Sequence, residues 1–282
     1  MKLNKNGIAG AIYGFVIGDA MGATTEFMSE EQIKRKFGKV TDIIGGGWLN
    51  LEAGEVTDDT QMTMCVMNAL MRTLDKEDAF GFAFAKECRN EFIKWYKSCP
   101  KDVGGQCSRA ITYMMSGKLG AYRNDNALGN GSLMRAMPCA LLDRPFLNEL
   151  QGRLTHNNQE CSQIIQDYSR LIQDYLKGIY DNMLTYTIRG LLEPSGYIRN
   201  TFNNSVYWSC QNSFEEAIIG AVNHGGDADT IAAITGSLAG AKFGYDNIPK
   251  RWINQLNPKV KISLEKFKNF VFTYVQMEEN VV

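Results

Sequence analysis

The chain lacks an excess of either charge. Among its 282 residues, 30 basic side chains stand against 31 acidic ones, for a formal net charge of −1. That balance offers no electrostatic footprint for a phosphate backbone, so nucleic acid is not an expected partner. No apolar run reaches the roughly 20 residues that a membrane span needs. Lys2 and Lys5 precede an apolar stretch over 8–17, and Ala20-Met21-Gly22-Ala23 imitates a cleavage site. Gly10, Gly14 and the following Asp19 speak against a signal peptide there. Seven cysteines, an odd number, form no Cys-x-x-Cys pair, and a reduced cytoplasmic compartment is the expectation. Only two histidines are present, His156 and His224, which leaves little for a zinc site.

Prolines number six, and no convincing alternation of apolar and polar residues marks a strand. The expected fold is all-α, a single-domain orthogonal helix bundle over 1–282. Helical periodicity is read over 60–72, 77–97, 105–116, 131–142, 159–188, 213–223, 228–243 and 260–278. The segments 38–56, 117–130 and 193–212 are read as loops, the first for Gly45-Gly46-Gly47, the last for Pro194 and Gly196. Hydrophobic residues make up 44%, enough for a substantial core.

Two helices carry glycine stripes. Gly10, Gly14, Gly18 and Gly22 recur every four residues, as do Gly236, Gly240 and Gly244. Glycine within a helix costs about 1 kcal/mol relative to alanine, and a spacing of four places them on one face. Close backbone approach explains such stripes, and each striped helix has carboxylates at one end. Glu26 follows the first; Asp227 and Asp229 precede the second. Thr57-Asp58-Asp59-Thr60 opens another helix.

Each cluster alone is more often a helix cap than a ligand set. Together they place up to five carboxylates and two threonine hydroxyls in one space if the helices pack side by side. Two like charges 4 Å apart repel by about 4 kcal/mol at an effective dielectric of 20, so several such pairs require protons or a cation. Every candidate ligand is an oxygen, which suits Mg²⁺ or Mn²⁺ rather than zinc, and two metals sharing an aspartate are consistent with the donor set.

These motifs resemble those of the ADP-ribosylglycohydrolases. The matching pieces are Gly18-Asp19-Ala20-Met21-Gly22 with Glu26, Gly54-Glu55-Val56-Thr57-Asp58-Asp59-Thr60-Gln61-Met62, Gly129-Asn130-Gly131-Ser132-Leu133-Met134-Arg135, Thr155-His156, and Gly225-Gly226-Asp227-Ala228-Asp229-Thr230-Ile231-Ala232. They keep the family's order over about 7–244, with the helices of 248–278 packing onto that body. The resemblance implies a dinuclear Mg²⁺ or Mn²⁺ site. Thr57, Asp58, Asp59 and Asp229 match ligands of one ion; Asp227, Asp229 and Thr230 match ligands of the other, with Glu26 a ligand or neighbour. Asp229 would bridge the two.

The loop Gly129-Asn130-Gly131-Ser132 before a helix suits a phosphate, through backbone N–H groups and the helix dipole, and is assigned to the diphosphate or distal ribose. His156 is either a satisfied structural histidine or a group near the ligand, where the resemblance places it. Asp102-Val103-Gly104 fits the segment that family members acting on arginine carry near the leaving group, although Gly105-Gln106-Cys107-Ser108 after it matches less well. The implied reaction is cleavage of the bond between ADP-ribose and a protein side chain, arginine preferred. Asp58 or Asp59 would take the water's proton, and Glu26 or Asp102 would serve the leaving group. Partners would be the ADP-ribosylated protein and, as functional counterpart, an ADP-ribosylating toxin or transferase. Two other readings stand beside this one: a catalytically silent ADP-ribose-binding or immunity protein, and a Mg²⁺-dependent phosphate-ester hydrolase. The paired Thr-Asp-Asp and Asp-x-Asp-Thr motifs weigh against the first, and the absence of a second basic motif to clamp a phosphoryl group weighs against the second.

Overall fold

The computed structural model describes residues 4–74, 81–121, 123–180 and 190–281. Among them the chain is all-α, with thirteen α-helices: α1 Lys5–Gly22, α2 Glu30–Phe37, α3 Asp58–Thr73, α4 Phe82–Lys97, α5 Gly105–Met115, α6 Met137–Leu141, α7 Pro145–Arg153, α8 Gln159–Leu176, α9 Ile198–Ser209, α10 Phe214–His224, α11 Ala228–Phe243, α12 Lys250–Gln255 and α13 Pro258–Val281. Pairing of the strand type is confined, among the described residues, to isolated bridges at Gly46–Leu51 and Gly129–Tyr197. No described helix is long and apolar enough to cross a membrane. The seven cysteines are free, and five of them are buried.

The glycine stripes form the axis of the fold. α1 and α11 are buried on all sides from Gly7 to Gly22 and from Ala228 to Ala241, which is why neither shows an apolar face opposed to a polar one. They run antiparallel in backbone contact. A Cβ placed on Gly14 would lie 2.2 Å from the Gly236 carbonyl oxygen, and one on Gly236 would lie 2.0 Å from that of Gly14. The apolar stretch over 8–17 is therefore the centre of the core. α8, α9 and α10 pack around α11, and α3 packs against α4. The C-terminal helices close the bundle: Trp252, Leu264, Phe267 and Val271 are buried, and the Tyr13 hydroxyl donates to Glu265 Oε1 at 2.6 Å.

Several boundaries differ from the sequence reading. The segment 193–212, read as a loop, contains the three-turn helix α9. Its Asn, Thr and Ser residues are weak helix formers, but Ile198, Phe202, Val206 and Ser209 form a buried face, and Ser205 Oγ donates to the Ile231 carbonyl of α11 at 3.0 Å. The helix expected over 159–188 ends at Leu176, where Gly178 turns into the left-handed region (φ +76°) and Ile179 N–H returns to the Asp174 carbonyl. Its expected continuation over 181–188 lies outside the described residues, as do 77–80 of the helix expected from 77. The helix expected over 131–142 is a single 3₁₀ turn, Asn130–Ser132, followed by the five-residue α6, because Pro138 cannot donate within a longer helix. α2 and α7 have no counterpart in the sequence reading, whereas α12 and α13 are the helices expected over 248–278.

Candidate metal centre

The antiparallel pairing of α1 and α11 brings the end of one beside the start of the other, and with them their acids. A Cβ on Gly22 would lie 2.4 Å from the Ala228 carbonyl oxygen, so the turn carrying Glu26 meets the turn carrying Asp227 and Asp229. Two reciprocal backbone bonds tie these turns together: Phe27 N–H to the Gly226 carbonyl at 2.6 Å and Gly226 N–H to that of Met28 at 2.9 Å. Gly226 sits at φ +62°, and a Cβ there would strike the Pro194 carbonyl oxygen at 1.8 Å. Oxygens of Glu26, Asp227 and Asp229 consequently lie within 4.8 Å of one another.

α3 is placed by a buried residue to which the sequence reading gave no role. Asp19 of α1 accepts from the backbone N–H groups of Thr57 (3.1 Å) and Thr60 (3.1 Å), and so holds the first turn of α3 against α1. Thr57 caps that helix, accepting from Asp59 N–H at 3.2 Å. Asp58 and Asp59 then face the same cleft as Glu26, Asp227, Asp229 and Thr230. The cleft has a volume of about 330 Å³, and Asp102, Gly129, Asn130, Gly131 and His156 also line it. Every sequence-assigned site residue reaches this wall except Thr57 and Ser132, which are buried behind it.

The loop 129–132 differs from its expected form. α6 lies beyond the 3₁₀ turn and offers no long helix dipole. Asn130 is engaged with protein: its side-chain amide donates to Asp227 Oδ2 and, at 3.0 Å, to Thr201 Oγ1 of α9, and its N–H donates to the Gly196 carbonyl. The unexpected helix α9 thus supports the group that holds Asp227. Trp48 is a second residue the sequence reading passed over. Its indole N–H donates to Glu26 Oε2 at 2.6 Å, and its ring lies 5.4 Å from that of Phe27. The Gly45-Gly46-Gly47 loop that delivers it was the available signal.

Burial dominates the electrostatics. It pushes Glu26 up to about 8 against the opposing Trp48 hydrogen bond, Asp58 up to about 7 with the Asp102 charge adding, and Asp227 up to about 6. Asp59 and Asp229 are pushed well above the usual carboxylate range, by burial first and then by neighbouring charge, Asp229 beside Asp59 and Glu26 beside Asp229. Asp102 is raised by burial, and its carboxylate accepts from Val103 N–H at 2.7 Å. Asp59 Oδ2 and Asp229 Oδ1 are buried with no partner among the described residues. Orphaned acceptors at the centre of an all-oxygen acidic cluster are what a hard divalent cation satisfies.

The profile of the ADP-ribosylglycohydrolase family matches residues 3–279. ADP-ribosyl-[dinitrogen reductase] glycohydrolase of Rhodospirillum rubrum is 35% identical over 278 residues, 91% of this chain and 92% of its own. ADP-ribosylarginine hydrolase Tri1 of Serratia proteamaculans is 29% identical over 291 residues, 90% of this chain and 76% of its own. A solved structure described as an ADP-ribosylglycohydrolase-related protein complex superposes with a TM-score of 0.78 at 26% identity, covering 97% of this chain and 98% of its own.

Proposed function

The chain belongs to the ADP-ribosylglycohydrolase family, and we propose that it hydrolyses the bond between ADP-ribose and an arginine side chain of a modified protein, using two Mg²⁺ or Mn²⁺ ions. The supporting observation is the pair of orphaned carboxylate oxygens, Asp59 Oδ2 and Asp229 Oδ1, inside a buried oxygen-only cluster. Thr57, Asp58, Asp59 and Asp229 would hold one ion; Asp227, Asp229 and Thr230 would hold the other, with Glu26 beside them. When bound, such ions supply Lewis acidity and lower the pKa of a coordinated water.

The remaining work falls to the chain. Gly129, Asn130 and Gly131 shape the wall that receives ADP-ribose, with Ser132 buried beside them, and His156 adds a ring nitrogen there. Asp58 or Asp59 takes a proton from the attacking water. Glu26 or Asp102 gives a proton to the departing guanidine nitrogen as the anomeric C–N bond breaks, through an oxocarbenium-like state. Asp102 is the better placed donor, since it is partly exposed at the cleft, whereas Glu26 is buried and its carboxylate already accepts from the Trp48 indole. Arginine is preferred on that residue and on the activity named for the Tri1 relatives. The segment 7–244 and helices α12 and α13 are taken as one catalytic domain, working in the cytoplasm on targets modified by a transferase or toxin.

Release of ADP-ribose from arginine-modified and serine-modified proteins, measured side by side, tests the linkage. Faster release from the arginine substrate is expected. Equal or faster release from serine overturns the arginine assignment. No release from either, with ADP-ribose still bound tightly, points to a silent binder.

A further inference from the structure

Arg135 is completely buried, and no carboxylate forms an ion pair with it among the described residues. Its guanidinium lies 4.7 Å from the Phe92 ring centroid and donates to the carbonyls of Gly131 and Gln151 (2.9 Å). It also donates to Thr155 Oγ1 at 2.6 Å. Burying a charge without a counter-charge is costly, so the cation needs a task. Arginine has no acceptor, which fixes the sense of its bond to Thr155: the hydroxyl oxygen accepts, and its one hydrogen points elsewhere. His156 Nδ1 lies 2.8 Å away. The other neighbour of that hydroxyl is the Cys107 thiol, whose sulfur is a weak acceptor. The hydrogen therefore goes to Nδ1.

We infer that Arg135 and Thr155 are positioning residues that hold His156 in a single neutral tautomer, with Nδ1 bare and Nε2–H facing the cleft as a fixed hydrogen-bond donor. Nε2 has no protein partner among the described residues and sits against the loop wall, 3.3 Å from where a Cβ on Gly129 would be. The charged and titratable groups facing the ring are Arg135, Arg109 and Cys107. Burial, then the two arginines, depresses its pKa to about 3, so the ring stays neutral at physiological pH. His156 is then an unchanging donor to an acceptor oxygen of the ligand, and it does not shuttle protons. The hydrogen bonds that fix the ring lie inside the protein and form whatever the cleft binds.

The chain has two histidines, so ¹⁵N-histidine labelling of the full-length protein resolves both rings, and His224→Gln assigns the second. The expected spectrum shows His156 Nδ1 as a bare ring nitrogen and Nε2 as a protonated one, unchanged between about pH 5 and 8. Thr155→Val removes the donor to Nδ1, and Arg135→Met frees the Thr155 oxygen to accept from Nδ1–H. Each should shift the tautomer ratio about fivefold toward Nδ1–H, whereas Thr155→Ser should match the wild type. A protonated Nδ1 in the wild type overturns the inference, as does a Thr155→Val spectrum identical to the wild type's. Should both destabilising variants fail to fold, the wild-type spectrum alone still decides between the tautomers.

Discussion

Glu26 is held by one hydrogen bond from the Trp48 indole, 2.6 Å long, on an otherwise exposed ring. Groups that orient metal ligands typically change affinity 10–100-fold when removed. Trp48→Phe, which keeps the ring and deletes the N–H, should weaken Mg²⁺ or Mn²⁺ binding by about that factor in a calorimetric titration. An unchanged affinity would place Glu26 outside the metal sites. Asp229→Asn tests the centre itself: loss of turnover by more than about 100-fold is expected if it bridges both ions, and wild-type ADP-ribose release would remove Asp229 from the mechanism. At this scale the sequence was most legible for acids. Glu26, Asp58, Asp59, Asp102, Asp227 and Asp229 carried their own signal in spacing and family pattern, and all line one cleft. Asp19, Trp48, Arg135 and the side-chain role of Asn130 were not legible as supports. Each acts through a partner 20 or more positions away in sequence or by a contact visible only after folding.

At the scale of elements, the antiparallel contact of α1 with α11 does the placing. Their glycines let backbones touch, and the chain ends that emerge carry the acids. A Cβ on Gly18 would lie 2.0 Å from the Ala232 carbonyl oxygen, so Gly18→Ala forces two helices apart. Alanine's better helix propensity contributes about 1 kcal/mol in the other direction, but overpacking costs roughly 1–3 kcal/mol or more. Net destabilisation is expected in denaturant unfolding. Gly105→Ala, whose Cβ would meet only the Arg109 side chain at 3.6 Å, should leave stability nearly unchanged. A neutral Gly18→Ala would contradict the close packing. The glycine stripes were legible because a costly residue at a fixed period demands a cause. α9 was not, because its polar, asparagine-rich sequence argues against a helix that only burial against α11 stabilises. The 131–142 boundary failed for the opposite reason: apolar spacing continued through a proline that stops the ladder.

Across the whole molecule, burying five carboxylates in one cleft links stability to pH and to metal. Each has a folded-state pKa raised above its unfolded value, up to about 8 for Glu26. Groups shifted this way are protonated in the folded state below the unfolded pKa of about 4; their favourable contribution is lost as pH rises through the folded pKa values. Chelator-treated protein should therefore lose thermal stability from about pH 5 to 8. A divalent cation at about 100 times its Kd should restore roughly 5–10 °C of Tm at the higher pH and less at the lower. A Tm of the chelated protein that rises with pH across this range would contradict the charge account. All-α class and the approximate run of helices were readable from periodicity, whereas the convergence of three acidic turns on one cleft required the fold itself.

The most direct test is ADP-ribose release from an arginine-modified protein by enzyme stripped with chelator, then resupplied with Mg²⁺ or Mn²⁺. The acidic cleft predicts that release stops on stripping and returns with the cation. Release that persists in excess chelator, or never appears with either metal, would contradict it.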